Sequence, residues 1–240
     1  MIIVIPMAGR GSRFANVGYS TPKPLIDVCG KPMLCHAFKS VEGIPYTKLV
    51  FIALKEHQQQ YDVRKVITDN ITTDFELVLL DDVTEGQLCT VMEARQFFVP
   101  GEDLLIAASD TYVKSEIGKH IANKPADCAG IISVADLPGD RWSFAKTDET
   151  GRVVEVAEKV KISDHASTGL YYFSDVEFFA RQATQLIENK ETTKGEYYVM
   201  PLYAKYIAQG LHLTISEANE MWDMGTPEAK QAFENYLNGQ

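Results

Sequence analysis

The 240-residue sequence lacks a long apolar segment. No apolar run approaches the roughly 18 residues that cross a bilayer, so we expect no membrane contact. The apolar N-terminus, Met1–Met7, has no basic region before it and no small-residue cleavage site after it. This pattern favours a first β-strand over a signal peptide. The sequence therefore predicts a cytoplasmic protein.

Cysteine is also scarce. The four cysteines form no Cys-x-x-Cys pair and have no histidine at zinc-finger spacing, which argues against the common zinc modules: Cys29, Cys35, Cys89 and Cys128. Free cysteine is among the residues most often buried in proteins. We expect four buried free thiols in a reducing compartment.

Positive charge is in the minority, with 23 Lys and Arg against 33 Asp and Glu and a net charge of −10. Such an acidic protein is not expected to bind nucleic acid, which requires basic surface. The first 31 residues are the exception, with four cations and one acid and a local charge of +3: Arg10, Arg13, Lys23, Lys31 and Asp27. A small cationic island of this kind favours a polyphosphate ligand.

Hydrophobic patterning predicts an α/β fold with a mixed, mostly parallel sheet. In the first half, strands and helices alternate, which is typical of parallel strands with right-handed crossovers. The predicted strands are Ile2–Pro6, Leu49–Leu54, Glu76–Leu80 and Leu104–Ser109. The predicted helices are Pro32–Val41, Glu56–Asp69 and Gln87–Phe98.

The second half begins with strands that have little helix between them. These are Ala129–Ala135, Trp142–Lys146, Val153–Glu158 and Ser167–Phe173. A turn at Asp148–Gly151 predicts a small antiparallel hairpin. Helices are then expected at Val176–Glu188, Glu196–Gln209 and Pro227–Leu237, with a strand at Leu211–Ser216. No repeat or linker interrupts the chain, so we expect one domain over residues 1–240.

A glycine-rich segment follows the first strand, at Pro6–Phe14. Glycine permits positive φ and a close approach of backbone to ligand, and successive N–H groups can cradle phosphate oxygens. Lys23, nine residues beyond Phe14, stands between two prolines that stiffen its backbone. A dinucleotide fingerprint fails because Phe14 replaces its third glycine, and no Gly-Lys-Ser/Thr of a P-loop is present. A purely structural glycine turn stays open as an alternative.

At Gly9-Arg10-Gly11-Ser12-Arg13 and Pro22-Lys23, the sequence resembles the sugar-phosphate nucleotidyltransferase family, which includes glucose-1-phosphate thymidylyltransferases and phosphocholine cytidylyltransferases. The resemblance covers nearly the whole chain. It implies a single-domain, Rossmann-like nucleotidyltransferase fold, flanked by helices, with a nucleotide-binding half over residues 1–112 and an acceptor-binding half over residues 113–240. It further implies transfer of a nucleoside monophosphate, release of pyrophosphate, and a place in capsule or cell-surface polysaccharide biosynthesis.

By the same resemblance, the triphosphate would be held by the glycine-rich segment together with Lys23, which would bridge phosphates: Ala8, Gly9, Arg10, Gly11, Ser12 and Arg13. Gly86 and Gln87 are candidates for recognising the base. A helix-entry turn explains that pair equally well.

Two aspartates are candidate Mg²⁺ ligands. Asp110 follows the strand that begins at Leu104, at the sheet edge where α/β proteins bind ligands. Asp223 lies in Trp222–Pro227, which resembles the family's C-terminal metal motif, although Trp222 stands one residue closer to the aspartate than in some members. Asp110 could otherwise form a turn, and Thr226 could cap a helix. Together with Arg13 and Lys23, these aspartates are the predicted catalytic residues.

The acceptor pocket is predicted from further matches to the family. Its candidate residues are Ser143, Glu158, Lys159, Gly169, Glu196 and Tyr198. An exposed ion pair explains Glu158 and Lys159 equally simply, and Tyr197 and Tyr198 could be core aromatics. Trp142-Ser143 stands where sugar-specific members often carry Tyr-Gly. The change disfavours a hexose 1-phosphate and leaves room for a phosphorylated amine, amino acid or alcohol.

The expected substrates are thus an NTP, with CTP first and dTTP second, and a small phosphorylated metabolite. An acceptor phosphate is largely ionised at neutral pH, its second pKa being about 6, so no histidine base is required. Two alternatives stay open at this point, a glycosyltransferase of related fold and a nucleotide sensor without activity. The glycosyltransferase would lack its usual Asp-x-Asp, because Thr111-Tyr112 follows Asp110. A homodimer is one of the open oligomeric states.

Overall fold

The computed structural model describes residues 1–239. The strands are β1 (Ile2–Pro6), β2 (Asp27–Val28), β3 (Lys31–Pro32), β4 (Lys48–Leu54), β5 (Glu76–Leu80), β6 (Leu104–Ala107), β7 (Thr111–Ser115), β8 (Cys128–Ala135), β9 (Ser143–Thr147), β10 (Val153–Glu158), β11 (Ala166–Phe173) and β12 (His212–Asp223). The helices are α1 (Ser12–Ala15), α2 (Met33–Phe38), α3 (Lys55–Tyr61), α4 (Val63–Asn70), α5 (Gln87–Met92), α6 (Ile117–Ala122), α7 (Val176–Glu188), α8 (Met200–Ala208) and α9 (Pro227–Asn238). Short 3₁₀ turns occupy Lys23–Leu25 and Arg95–Phe97.

The main sheet has the order β5-β4-β1-β6-β11-β8-β12-β7. Strands β5, β4, β1 and β6 are parallel neighbours. Strand β11 is antiparallel to β6 and β8, β12 is parallel to β8, and β7 is antiparallel to β12. Six of these eight strands therefore run in one direction, which confirms the predicted mixed, mostly parallel sheet of a single α/β domain.

The predicted antiparallel hairpin is confirmed as β9 and β10. The Asp148 carboxylate accepts hydrogen bonds from the backbone N–H groups of Thr150 and Arg152, and Gly151 takes a φ of +84°. Acidic side chains commonly stabilise turns in this way, and glycine tolerates the left-handed backbone. The hairpin joins the main sheet through the single register pair Ala166–Phe144.

Alternation along the central strands divides the core between the two faces of the sheet, as expected for a period of two. In β1, Ile2 and Val4 belong to one buried cluster, with residues of α5, α7 and α8. Ile3 and Ile5 belong to the cluster on the other face, with residues of α2, α4 and α6. Helices thus cover both faces of the parallel strands.

A third, smaller core connects the two ends of the chain. Phe14 of α1 and Met33 of α2 pack with Met224 and Phe233. Phe233 also lies in a group of stacked and edge-on rings with His36, Tyr112, Trp222 and Tyr236. The C-terminal helix α9 therefore fixes the glycine-rich segment relative to the end of β12.

Several predicted helix and strand boundaries were wrong. Asp62 takes a φ of +46° and divides the predicted helix Glu56–Asp69 into α3 and α4. Helix α5 ends at Met92, and α8 begins only at Met200. Strand β12 continues to Asp223 because it leaves β8 and pairs with β7. Strands β2, β3 and β7 and helix α6 were not predicted from the sequence.

Two smaller predictions concern the membrane and the cysteines. Among residues 1–239, no helix combines the length and the apolar character that spanning a bilayer demands. All four cysteines are free, and Cys35 and Cys128 are buried. The expected burial is wrong for Cys29, which is exposed, and for Cys89, which is only partly covered. Cys29 lies outside the core because its φ of +50° places it in the tight turn between β2 and β3.

We predict that Phe233→Ala lowers the free energy of unfolding by about 3–5 kcal/mol, the usual effect of emptying a buried aromatic site. Urea denaturation followed by far-UV circular dichroism measures this change. Val154→Ala, at a 42% exposed position of β10, is the control and should change stability by less than about 0.5 kcal/mol. Equal losses in the two variants would contradict a third core centred on Phe233.

Candidate active site

Two adjoining cavities open at the carboxyl ends of β1 and β6, the edge at which α/β sheets bind ligands. The first cavity has a volume of about 530 Å³ and is lined by the ends of these strands, by Lys23, by residues 83–87 and by Gly195, Glu196 and Tyr198. The second has a volume of about 370 Å³ and is lined by Arg13, by the hairpin β9–β10 and by the start of β11. Asp110, Gln87, Glu196 and Tyr198 line both.

Asp110 and Asp223 are brought together by the register of β12 on β7, in which Asp223 pairs with Thr111. The N–H of Met224 then donates to the carbonyl oxygen of Asp110, at 2.8 Å. An ideal Cβ built on Gly225 would lie 2.9 Å from Oδ1 of Asp223 and 3.2 Å from Oδ2 of Asp110. The two carboxylates therefore converge on one point in space, and only glycine leaves that point free.

Each carboxylate is paired with a cation. Nζ of Lys23 lies 2.6 Å from Oδ2 of Asp110, and Nη2 of Arg141 lies 2.7 Å from Oδ2 of Asp223. Burial acts to raise the pKa of Asp110, but the charge and hydrogen bond of Lys23 outweigh it and leave that pKa lowered. Burial and the negative charge of Asp110 raise the pKa of Asp223, in spite of Arg141.

The donor set fits Mg²⁺. Mg²⁺ usually takes one or two carboxylates and completes its octahedron with water and substrate phosphates. Among residues 1–239, no group of three or more His, Cys, Asp and Glu side chains that could hold a metal ion is found. The convergent pair Asp110 and Asp223 thus provides what a metal shared with a phosphate substrate requires.

The glycine-rich segment forms the wall beside Lys23. Gly11 takes a φ of +62° and caps α1, and a Cβ at Gly11 would lie 3.0 Å from Cβ of Lys23. Ala8 and Gly9 line the first cavity, and Arg13 lines the second. The segment and Lys23 therefore pack against each other, as one continuous surface.

Two predicted phosphate ligands lie elsewhere. Arg10 is exposed, and its guanidinium forms an ion pair with Asp82 at 2.7 Å. It faces a separate cavity of about 160 Å³ that also contains Glu56 and His57. Ser12 is exposed at the start of α1 and lines neither of the two cavities of the site. The structure thus brings Ala8, Gly9 and Arg13 to the site, but not these two side chains.

Gly86 and Gln87 form the opposite wall of the first cavity. Gly86 takes a φ of +144°, and a Cβ there would lie 2.5 Å from both N and O of Tyr197. Two backbone hydrogen bonds of 3.0 Å flank it, from Tyr197 N–H to Glu85 and from Leu88 N–H to Tyr197. Gly86 therefore serves a close backbone contact, and Gln87 opens α5 with its side chain beside both cavities.

The second cavity contains a chain of polar contacts. Ser143 Oγ donates to Glu158 Oε2 at 2.5 Å, and burial raises the pKa of the Glu158 carboxyl. Lys159 takes a φ of +57°, and its Nζ donates to the hydroxyl of Tyr198. Tyr198 in turn donates to Glu196. Glu158 and Lys159 are therefore not paired with each other, contrary to a simple exposed ion pair.

The remaining predicted residues are also placed. Gly169 takes a φ of +87°, and a Cβ there would lie 2.8 Å from Cβ of Ala108, so glycine is required where β11 meets the loop after β6. Tyr197 is buried in the core, whereas Tyr198 lines both cavities. Of the two adjacent tyrosines, only Tyr198 belongs to the site.

Sequence reasoning missed Arg141, as well as Thr84 and Thr90. Arg141 lies in the loop between β8 and β9, with its guanidinium carbon 4.2 Å from the centre of the Trp142 ring. The hydroxyl groups of Thr84 and Thr90 lie 2.6 Å apart, and both contact the carbonyl oxygen of Gly86. Arg141 directly precedes Trp142-Ser143, which the sequence placed at the acceptor pocket, and this position was the signal that could have identified the arginine. No spacing indicated the two threonines.

Comparisons with known proteins show which family the chain resembles over nearly its whole length. A family model described as nucleotidyl transferase matches residues 2–237. The UTP–glucose-1-phosphate uridylyltransferase AglF of Haloferax volcanii is 23% identical, over 99% of this chain and 96% of its own. The bifunctional protein GlmU of Thermotoga sp. (strain RQ2) is 26% identical over 83% of this chain, which spans 43% of that protein. The crystal structure of the nucleoside-diphosphate-sugar pyrophosphorylase from Vibrio cholerae RC9 has a TM-score of 0.84 and 30% identity, and covers 97% of this chain and 99% of its own.

We predict that Gly86→Ala destabilises the protein more than Gly101→Ala does. Both glycines have positive φ, but a Cβ at Gly101 would meet no atom within 4 Å. The left-handed backbone should cost roughly 1–2 kcal/mol at Gly101, and the contact with Tyr197 should add about 1–3 kcal/mol at Gly86. Chemical denaturation of both variants measures the difference. Equal destabilisation would show that the contact between Gly86 and Tyr197 carries no strain.

Proposed function

The chain belongs to the nucleotidyl transferase family, and from that premise we propose that it transfers a nucleoside monophosphate from an NTP to a small phosphorylated acceptor. Family membership favours this reaction over glycosyl transfer and over a nucleotide sensor. The observation that carries the proposal is the convergence of Asp110 and Asp223 beside Lys23, between two adjoining cavities. One cavity accommodates the nucleotide and the other the acceptor, so that their phosphates meet at the carboxylates.

In the proposed reaction, an acceptor phosphate oxygen attacks the α-phosphorus of the NTP in line with the leaving group. A new oxygen–phosphorus bond forms, the bond from the α-phosphorus to the bridging oxygen breaks, and pyrophosphate leaves with that electron pair. Both reactants are anions, so the barrier is one of repulsion and orientation. Lys23 and Arg13 supply positive charge at the junction of the cavities, and the backbone at Ala8 and Gly9 faces the triphosphate.

Asp110 and Asp223 would hold Mg²⁺, which neutralises phosphate charge and aligns the reacting groups when it is bound. No side chain needs to remove a proton, because the acceptor phosphate is mostly ionised above its second pKa of about 6. The division into a nucleotide-binding half, residues 1–112, and an acceptor-binding half, residues 113–240, is part of this proposal. Residue 240 lies outside the described residues.

The nucleotide is the finer part of the proposal. The resemblance in sequence favours CTP and then dTTP, whereas the name of the Haloferax relative specifies UTP. In this proposal the base lies in the first cavity, against residues 83–86 and against Gln87 and Thr90. Because backbone groups and amides can recognise any base, we keep CTP as the first candidate and include UTP as its competitor.

Two acceptor classes follow from different observations. The Haloferax relative is named for glucose 1-phosphate, which supports a sugar 1-phosphate. The Ser143 side chain, which donates to the half-buried Glu158, occupies the place where sugar-specific members of the family often have glycine. This side chain supports a smaller phosphorylated amine, amino acid or alcohol. Either class of acceptor would suit a cytoplasmic pathway that supplies capsule or another surface polysaccharide.

We predict that the purified protein with Mg²⁺ releases pyrophosphate from one NTP only when an acceptor is present. The panel combines CTP, dTTP, UTP, GTP and ATP with sugar 1-phosphates and with phosphorylated amines, amino acids and alcohols. A coupled pyrophosphate assay gives the rate, and mass spectrometry identifies the nucleotide-linked product. A folded protein that is silent with every pair would sink the proposal.

We predict that Lys23→Ala and Asp223→Asn each lower kcat by about 10²–10³-fold or more, the usual cost of removing a group that stabilises charge in the transition state. Lys65→Ala is the matched control, because Lys65 forms an ion pair of the same 2.6 Å with Asp69 on α4, outside the site. Its activity should equal that of wild type. Retained activity in Lys23→Ala would place the reaction elsewhere.

We predict that Ser143→Gly shifts specificity toward hexose 1-phosphates. Removing the hydroxymethyl group opens the second cavity and frees the Glu158 carboxylate to accept a hydrogen bond from a sugar hydroxyl. The ratio of kcat/KM for a hexose 1-phosphate to that for the preferred small acceptor should rise about tenfold, as expected for a steric change in a pocket. Ser163→Gly, whose hydroxyl donates to Ala145 outside the cavity linings, is the control. An unchanged ratio would show that Ser143 does not select the acceptor.

A further inference from the structure

Arg141 is the second cation at the carboxylate pair, and it is held differently from Lys23. Lys23 lies between Pro22 and Pro24 and packs on Gly11, with its side chain 24% exposed. The Arg141 side chain is 49% exposed and reaches Asp223, which is itself only 16% exposed. One cation is therefore built into the wall of the cavity, and the other approaches from the solvent side.

The loop that carries Arg141 is fixed behind the guanidinium. Trp142 Nε1 donates to the carbonyl oxygen of Pro138 at 3.1 Å, and the carbonyl oxygen of Trp142 accepts from Lys159 N–H at 2.9 Å. The guanidinium rests over the Trp142 ring, a position in which cations are stabilised. The base of the side chain is thus anchored beside Lys159, while its half-exposed charged end lines the second cavity.

The partner that Arg141 now has is a carboxylate that the metal also requires. Oδ1 of Asp223 accepts from Gly225 N–H at 2.8 Å, and Oδ2 accepts from Arg141. A cation bound between Asp110 and Asp223 would supply the positive charge that Arg141 provides in its absence. The guanidinium would then face the phosphate side of the second cavity, and its fork of N–H donors matches phosphate oxygens in pairs.

From this geometry we infer that Arg141 is an exchangeable counter-ion of Asp223 and a binding residue for the acceptor phosphate. The inference rests on the proposed function for its second part. Without substrates, Arg141 neutralises Asp223. When the metal takes Asp223, Arg141 turns to the acceptor phosphate, beside Lys159. Binding of the acceptor is thereby linked to occupation of the metal site.

Arg141→Gln and Arg141→Lys test both parts, and Arg181→Gln is the matched control. Arg181 is likewise an exposed arginine over an aromatic ring, 5.1 Å from the centre of Phe178, but it lies on α7 outside the site. The first measurement is the affinity for Mn²⁺, determined by electron paramagnetic resonance with and without nucleotide. Arg141→Gln should bind Mn²⁺ about two- to fivefold more tightly than wild type, because an exposed competing ion pair is gone. Arg141→Lys and Arg181→Gln should match wild type.

The second measurement is steady-state kinetics with the best NTP and acceptor. Arg141→Gln should raise KM for the acceptor about 10–100-fold, the range expected for loss of charge-assisted hydrogen bonds. KM for the NTP should change less than about twofold. Arg141→Lys should show most of the same increase in the acceptor KM, because the ammonium group of lysine lacks the planar fork of N–H donors.

Unchanged or weaker Mn²⁺ binding in Arg141→Gln would overturn the exchange, since a residue that only positions Asp223 would lower metal affinity when removed. Failure of Mn²⁺ to bind either protein in either condition would overturn it as well. An unchanged acceptor KM would overturn the phosphate role. Wild type without turnover on any pair would refute the proposed reaction instead, and the Mn²⁺ measurement would still decide whether Arg141 competes for Asp223.

Discussion

Two negative charges are held close together at this site, and the surrounding structure is arranged around their repulsion. Asp110 ends the loop after β6, a central parallel strand. Asp223 lies at the end of β12, which pairs first with β8 and then with β7. Like charges at such a distance disfavour ionisation, and burial together with the negative charge of Asp110 raises the pKa of Asp223. The pair is maintained by one lysine in the cavity wall and one more exposed arginine, and by a glycine that leaves the space between the carboxylates free.

This arrangement needs support from distant parts of the chain. Lys23 belongs to the N-terminal segment, and Asp223 to the C-terminal one. The third core, with Phe14, Met224 and Phe233, is what fixes these segments to each other. This third core is small, rich in aromatic residues and separate from the cores on the two faces of the sheet. For this reason, the geometry of the two carboxylates depends on the stability of α9.

The sequence predicted what local chemistry determines. Strand periodicity identified most of the sheet, and the residues Lys23, Asp110 and Asp223 were recognised from short motifs that the structure brings together. The path of β12 could not be predicted, because a strand that changes partners has no distinct local pattern. Arg141 was missed for a related reason, since its significance depends on Asp223, 82 residues away in the chain. The opposite error occurred at Arg10. Its position in the motif suggested a phosphate ligand, but its guanidinium pairs with Asp82, which a later loop contributes.

The contact of Gly86 with Tyr197 also bears on how this protein could change during evolution. Two backbone hydrogen bonds fix Glu85 and Leu88 on a single residue, Tyr197. Bonds between main-chain atoms tolerate many side chains, but they tolerate no inserted or deleted residue, because either would break the pairing. New specificity in this wall must therefore come from substitutions alone. The loop between β8 and β9 differs, because Arg141 reaches the site through its side chain, and the nearest main-chain hydrogen bond that fixes this loop is the one from Lys159 N–H to the carbonyl oxygen of Trp142.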